Sequence, residues 1–211
     1  HNSSKPSNLQ VRGIKKTLYG HSGPITTLCV CHEFSILVSG SSDGTCIIWD
    51  LNRLTYVRSI NSHCEAITTL TVSSTLGDIA SVSQLDHESS SLQLHTVNAT
   101  HVATQNVKEI INCLGYSCAP EGRSVNVVAG GLRSGAIRLW SSWDLAPLRD
   151  LVKDSMPLNP VISLTFSSDS QYLMAVSSDG SITLWDKDKN SRRSNVDKFI
   201  AVIVSGDGGE K

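Results

Sequence analysis

The chain has little charge of one sign, few aromatic residues and no long hydrophobic run. Eighteen Lys and Arg stand against 19 Asp and Glu, a formal net charge of −1. The basic stripe of a nucleic-acid binder is therefore missing, and no nucleic acid is expected as a partner. No segment approaches the roughly 18–20 apolar residues that cross a bilayer as a helix. Six cysteines, at 29, 31, 46, 64, 113 and 118, contain no CxxC pair. That is too sparse for a disulfide scaffold, and free thiols in a reducing cytosol are expected. No charged n-region leads into an apolar h-region at the start, so nothing marks the chain as secreted. It opens on His rather than Met, as a processed chain or a fragment would. The sequon matches at Asn2 and Asn98 are short enough to arise by chance.

What is abundant is serine, 33 of 211 residues, with 15 glycines. That mix favours turns and short strands over long helices. Three segments end alike: Ile47-Ile48-Trp49-Asp50, Ile137-Arg138-Leu139-Trp140-Ser141 and Ile182-Thr183-Leu184-Trp185-Asp186. Halving the long gap finds a fourth, Leu92-Gln93-Leu94-His95-Thr96, with His in place of Trp. The period is then 46, 45 and 45 residues. A second anchor repeats in step, from Ile25-Thr26-Thr27-Leu28 through Ile67-Thr68-Thr69-Leu70 to looser copies at 111–116 and 161–166. Small apolar runs start at Ile36, Ile79, Val127 and Tyr172. Thirteen residues separate the run from the Trp position in three copies and 16 in the second, which predicts a three-residue insertion near 85–91.

Each copy holds short β-prone runs between turn signals and no helical periodicity as long as 10–12 residues. The Asp-Gly pairs at 43–44 and 179–180 suit hairpins, because that pair accepts the positive φ such turns require. A four-stranded antiparallel sheet repeated every 40–45 residues is a β-propeller blade. The fold class is all-β, with four recognisable blades.

Gly20-His21, the stretch at 39–44 and Trp49-Asp50 resemble a complete WD repeat. That resemblance implies a hydrogen-bonded tetrad of His21, Ser39, Asp43 and Trp49 that stiffens one blade and does no catalysis. The chemistry is sound, since a buried Asp must be paired and Trp and His supply N–H donors. The other copies depart from the pattern. The second keeps His63 but has His95 for Trp and no clear turn Asp. The third keeps Trp140, with Ser134 at the Asp position and Gly130 at the hydroxyl position. The fourth has Asp179 and Trp185, with Ala175 at the hydroxyl position and no matching His. Hydrophobic packing is expected to hold these three together.

The blocks at 38–54 and 127–145, linkers included, resemble the C-terminal repeats of BEACH-domain proteins over roughly residues 11–190. That family implies large cytoplasmic scaffolds, peripheral to endosomal or lysosomal membranes, that regulate the traffic of vesicles and lysosome-related organelles. Its members bind other proteins and carry a BEACH domain in the same full-length chain. No enzyme activity and no cofactor are implied. A generic WD adaptor in an unrelated complex is the alternative, followed by a propeller enzyme using Asp86 and His87. The organisation expected is a lead-in at 1–10, blades over 11–186 and a tail at 187–211 with one strand at 198–205. The repeats fall at about 20–60, 61–105, 106–150 and 151–186. Residues 11–18 are read as the outer strand of a preceding blade. They either close a four-bladed ring with 161–185 or mark an open arc of a ring of about seven; the open arc is the reading adopted.

Other constellations have plain readings beside sharper ones. Gly40-Ser41-Ser42-Asp43-Gly44 fits the GxSxG expression of hydrolases, but that chemistry needs a strand-turn-helix elbow and here a strand follows. Cys29, Cys31, His32 and Cys46 can be drawn as a metal site, yet their spacing is that of small buried thiols, and no metal is expected. Lys187, Lys189, Arg192, Arg193 and Lys198 are diluted by Asp186, Asp188 and Asp197 and read as a solvated segment. Trp143 lies outside the repeat position. It reads either as packing between blades or, with Asp86 and His87 of the insertion, as a partner contact.

Overall fold

Alternating apolar and small residues, cut by turn chemistry, make strands throughout. In a computed structural model the described residues are 13, 15–119, 126–152, 158–187 and the strand at 199–203. They form four antiparallel sheets of four strands, each a meander in chain order. Blade one holds β1 (Ile25–Cys31), β2 (Ile36–Ser41), β3 (Cys46–Asp50) and β4 (Thr55–Ile60). Blade two holds β5 (Ile67–Val72), β6 (Ile79–Gln84), β7 (Ser90–His95) and β8 (His101–Val107). Blade three holds β9 (Ile111–Tyr116), β10 (Val127–Leu132), β11 (Ile137–Ser141) and β12 (Pro147–Leu151). Blade four holds β13 (Val161–Phe166), β14 (Tyr172–Ser177), β15 (Ile182–Lys187) and β16 (Phe199–Ile203). Among the described residues no helix is long and apolar enough to cross a membrane.

The register places equivalent residues. Leu28, Ser39 and Ile47 stand in line across blade one, as do Leu70, Ser81 and Gln93 in blade two. Ten residues therefore separate Ser39 from Trp49, but fourteen separate Ser81 from His95. The insertion is four residues, not three. Matching the apolar runs by their first residue set Ile79 against Ile36, whereas Ile79 pairs with His95 and so corresponds to Leu37, which pairs with Trp49.

Blades stack face to face because strand side chains alternate between two faces, both apolar in the middle of the arc. Cys31, Val38, Cys46, Ile48 and Ile60 on the trailing face of blade one pack with Ile67, Leu70, Val72 and Ile79 on the leading face of blade two. Blade two meets blade three through Val82, Leu92 and Leu94 against Ile111, Leu114 and Trp140. Blade three meets blade four through Ala129, Ile137 and Leu139 against Val161, Leu164 and Leu173. The innermost strands pack β1 on β5, β5 on β9 and β9 on β13; among the described residues no comparable packing joins β13 to β1. The result is an arc.

Residues 15–18 carry no strand, while 11, 12 and 14 lie outside the described residues, so the expected outer strand at 11–18 is not seen in the part described. The outer edge of blade four is β16 instead, inside the stretch 198–205 read as a strand. The basic positions 189–198 of the tail lie outside the described residues.

Candidate functional site

In blade one the turn after β2 brings Asp43 under the segment that precedes β1. Trp49 Nε1 donates to Ser39 Oγ at 2.8 Å, and Ser39 Oγ lies 2.7 Å from His21 Nε2. His21 Nδ1 stands 3.0 Å from Thr45 Oγ1 and 3.3 Å from Asp43 Oδ2. Thr45 Oγ1 donates to Asp43 Oδ1 at 2.6 Å, so its lone pair is left to accept. Every hydrogen is then accounted for by one direction of donation, Trp49 to Ser39 to His21 to Asp43, with His21 in its Nδ1–H tautomer. The amides of Ser22 and Gly23 also donate to Asp43 Oδ2. Burial pushes the Asp43 carboxyl up, but donation from the Thr45 hydroxyl and from the amides of Thr45, Ser22 and Gly23 outweighs it and holds the group well below the usual carboxylate range. Gly44 turns the corner at φ +79°, where a Cβ would meet the His63 carbonyl oxygen at 2.9 Å. Thr45 is a network member missed in the sequence; its place two residues after a turn Asp was the available signal.

Blade two holds a different polar network, which corrects the expectation that packing alone supports it. His63 is buried, with Nε2 2.8 Å from Ser81 Oγ and Nδ1 2.8 Å from Ser83 Oγ. Ser62 Oγ donates to Gln93 Oε1 at 2.5 Å and lies 3.0 Å from His95 Nε2. With the Ser62 hydrogen committed to Gln93, His95 Nε2–H is the donor, and its buried Nδ1 is a lone pair without a partner. Burial lowers the His63 and His95 pKa values to about 4, helped by the neighbouring imidazole in each case, His95 for His63 and His101 for His95. Both rings are neutral near pH 7.

Blades three and four use neither network. Trp140 is fully buried against Gly130, where a Cβ would come within 2.6 Å of the ring. Ser134 is not in a tetrad: its hydroxyl donates to Glu109 at 2.7 Å. Arg138 bridges Glu109 at 3.2 Å and grips Asp150 through two nitrogens at 2.7 Å each. In blade four Asp179 accepts from Asn159 Nδ2 and from the Ser181 amide at 2.9 Å each, so an Asn stands in for the absent His. Trp185 is buried with its indole N–H unpartnered.

The candidate partner residues fall at opposite ends of the arc. In a meander, the turns after the second strand share one end with the blade-to-blade connections, and the turns after the first and third strands share the other. Asp86 and His87 occupy the β6–β7 turn, where Asp86 caps the Glu88 amide at 2.8 Å and the His87 carbonyl accepts from Arg133 at 3.5 Å. His87, Glu88, Lys108 and Arg133 line an open recess there. Trp143 lies in the β11–β12 turn and is 67% exposed, so it does not pack between blades. Burial pushes the Cys46 thiol up to about 12, and it raises Cys29 and Cys31 as well. Among the described residues no three His, Cys, Asp or Glu side chains are grouped to hold a metal.

A family profile described as the neurobeachin beta propeller domain matches residues 3–195. The lysosomal-trafficking regulator of Homo sapiens is 44% identical over 203 residues, covering 96% of this chain and 5% of that protein. The protein of the same description from Drosophila melanogaster is 28% identical over 88% of this chain and 6% of its own length. WD repeat- and FYVE domain-containing protein 4 of Homo sapiens is 32% identical over 74% of this chain and 5% of its own. The chain thus spans about a twentieth of the curated relatives it matches. Among solved structures, the computationally designed Ika4 protein superposes with a TM-score of 0.60 at 21% identity, covering 81% of this chain and 95% of that one. That likeness speaks for the fold alone.

Proposed function

This chain belongs to the neurobeachin β-propeller family, and on that premise we propose that it is a non-catalytic protein-interaction scaffold in vesicle and lysosome-related organelle traffic. The observation that carries the reading is how its polar residues are distributed. His21, Asp43, His63 and His95 are engaged inside blades, where they hold strands and turns together. What remains exposed and irregular is the four-residue insertion with Asp86 and His87 at one end and Trp143 at the other. Loops on a rigid sheet framework are the usual place for recognition, and an exposed Trp suits an anchor. In a longer polypeptide the segment would act beside a BEACH domain, on the cytoplasmic side of endosomal or lysosomal membranes.

The test is affinity capture with the wild-type chain, with a chain shortened across 86–89, and with Trp143→Ala, each shown to keep the wild-type unfolding midpoint. Membrane-traffic proteins held by the wild type and lost from one loop variant are the expected result. Capture unchanged by both variants would exclude the loops, and turnover of generic esters or glycosides abolished by His87→Ala would overturn the non-catalytic role.

A further inference from the structure

Three joints inside the chain follow one pattern, in which the leading face of a blade sits on the trailing face of the blade before it. The two terminal faces of the arc are the unmatched halves of that same joint. On the leading face of blade one, Ile25 and Leu28 are 55% and 60% exposed. Their counterparts Ile67, Ile111 and Val161, and Leu70, Leu114 and Leu164, are all buried. On the trailing face of blade four, Met174 and Ile182 are 42% and 50% exposed. The equivalent positions, Val38, Ala80 and Ala129 for the first and Cys46, Leu92 and Ile137 for the second, are again buried. Ile162 adds apolar surface at blade four. It stands where Thr26 and Asn112 send side chains to the carbonyls of Ile67 and Val161 in the next blade, at 2.6 and 3.0 Å.

We propose that two copies of this chain close on each other, the leading face of blade one in each copy packing on the trailing face of blade four in the other, to complete an eight-bladed ring. A second copy presents both missing halves at once, and the joint it forms continues the packing already made three times within the chain. A head-to-tail contact of this kind yields either a closed ring or an open filament. Two arcs of four give eight blades, inside the roughly four to eight that propellers adopt, whereas three would give twelve. Exposed apolar faces of this kind mark association surfaces. The proposal rests on the arc described above and differs from the ring of about seven, completed by upstream blades, that the family resemblance implies.

The experiment is light-scattering mass across a micromolar concentration series. It uses the 211-residue chain, Leu28→Glu with Val30→Glu, and Met174→Glu with Ile182→Glu. All four side chains are exposed, and Ser replaces Glu at the same positions if either variant loses the wild-type circular dichroism. The wild type is expected at twice the mass of one chain, with no further growth, and both variants at the mass of one. A wild-type monomer overturns the proposal and points to coverage by other segments of a longer polypeptide. Mass that keeps rising with concentration overturns ring closure. Dissociation by only one of the two variants overturns the head-to-tail joint, since a face that pairs with itself ignores the other. A monomer that still captures its partner sinks this inference alone, and a dimer that captures none sinks the interaction reading alone.

Discussion

Asp43 accepts from two side-chain or main-chain groups of Thr45 and from the amides of Ser22 and Gly23, while His21 leans on it from above. Removing its carboxylate leaves several donors without partners in a largely buried turn. Asp43→Ala is expected to cost on the order of 2–4 kcal/mol. Ser134→Ala, at an exposed hydroxyl whose partner Glu109 keeps Arg138, should stay within about 0.5 kcal/mol. Urea midpoints of the two variants measure the difference, and equal shifts would sink the tetrad argument. Gly130→Ala is a separate residue-scale case. Its new methyl would press on the Trp140 ring, a fixed and buried neighbour, so a loss of about 1–3 kcal/mol is expected from overpacking. The first network was legible in the sequence because its members match a known spacing. The close approach at Gly130 was not, since a glycine at a hydroxyl position looks the same whether it leaves a gap or accommodates a ring.

Blade two shows how an element can keep its geometry with different chemistry. His63 and His95 both bind their protons more weakly in the fold than the ordinary value of 6.5, at about 4. Their pKa values are lowered, so the unfolded chain holds more protons than the folded one between these limits, and stability falls as pH drops from about 6.5 toward 4. Each pH unit in that window costs up to about 1.4 kcal/mol per histidine. Asp43 has the opposite linkage partner: its contribution is complete above 3.8 and is lost as pH falls further, through its depressed folded value. Urea midpoints at pH 7, 5.5 and 4.5 should therefore decline, and the decline should shrink in His63→Gln. A midpoint flat across that range would mean the rings are not buried neutral. The replacement network escaped the sequence reading because Ser81 comes into line with Ser39 only when the register, rather than the apolar run, sets the alignment. The insertion is a second element-scale feature. It extends a turn without entering a core, so a chain shortened across 86–89 should keep its unfolding midpoint within about 0.5 kcal/mol.

At the scale of the whole molecule, blades two and three are covered on both faces and blades one and four on one. In a stacked array, stability is shared between neighbours, so the ends should open first. Amide exchange is expected to be slowest in β5–β7 and β9–β11 and faster in β1–β3 and β13–β15, measured where the chain is held monomeric by the blade-one substitutions. Uniform protection across all four blades would contradict this. Blade count, strand content and the turn chemistry at residues 43–44 could be read from the sequence, because each depends on local alternation and on backbone angles that few residues accept. The same local logic identified which Trp and His lie at the repeat positions. Tertiary structure alone decided what those residues do. Whether a serine serves His21, His63 or Glu109 depends on which strand lies opposite. Whether Trp143 is packed or exposed, and whether Ile25, Leu28, Met174 and Ile182 are core or surface, depends on the presence of a neighbouring blade. Burial is a property of pairs of faces, and a sequence specifies each face without stating what meets it.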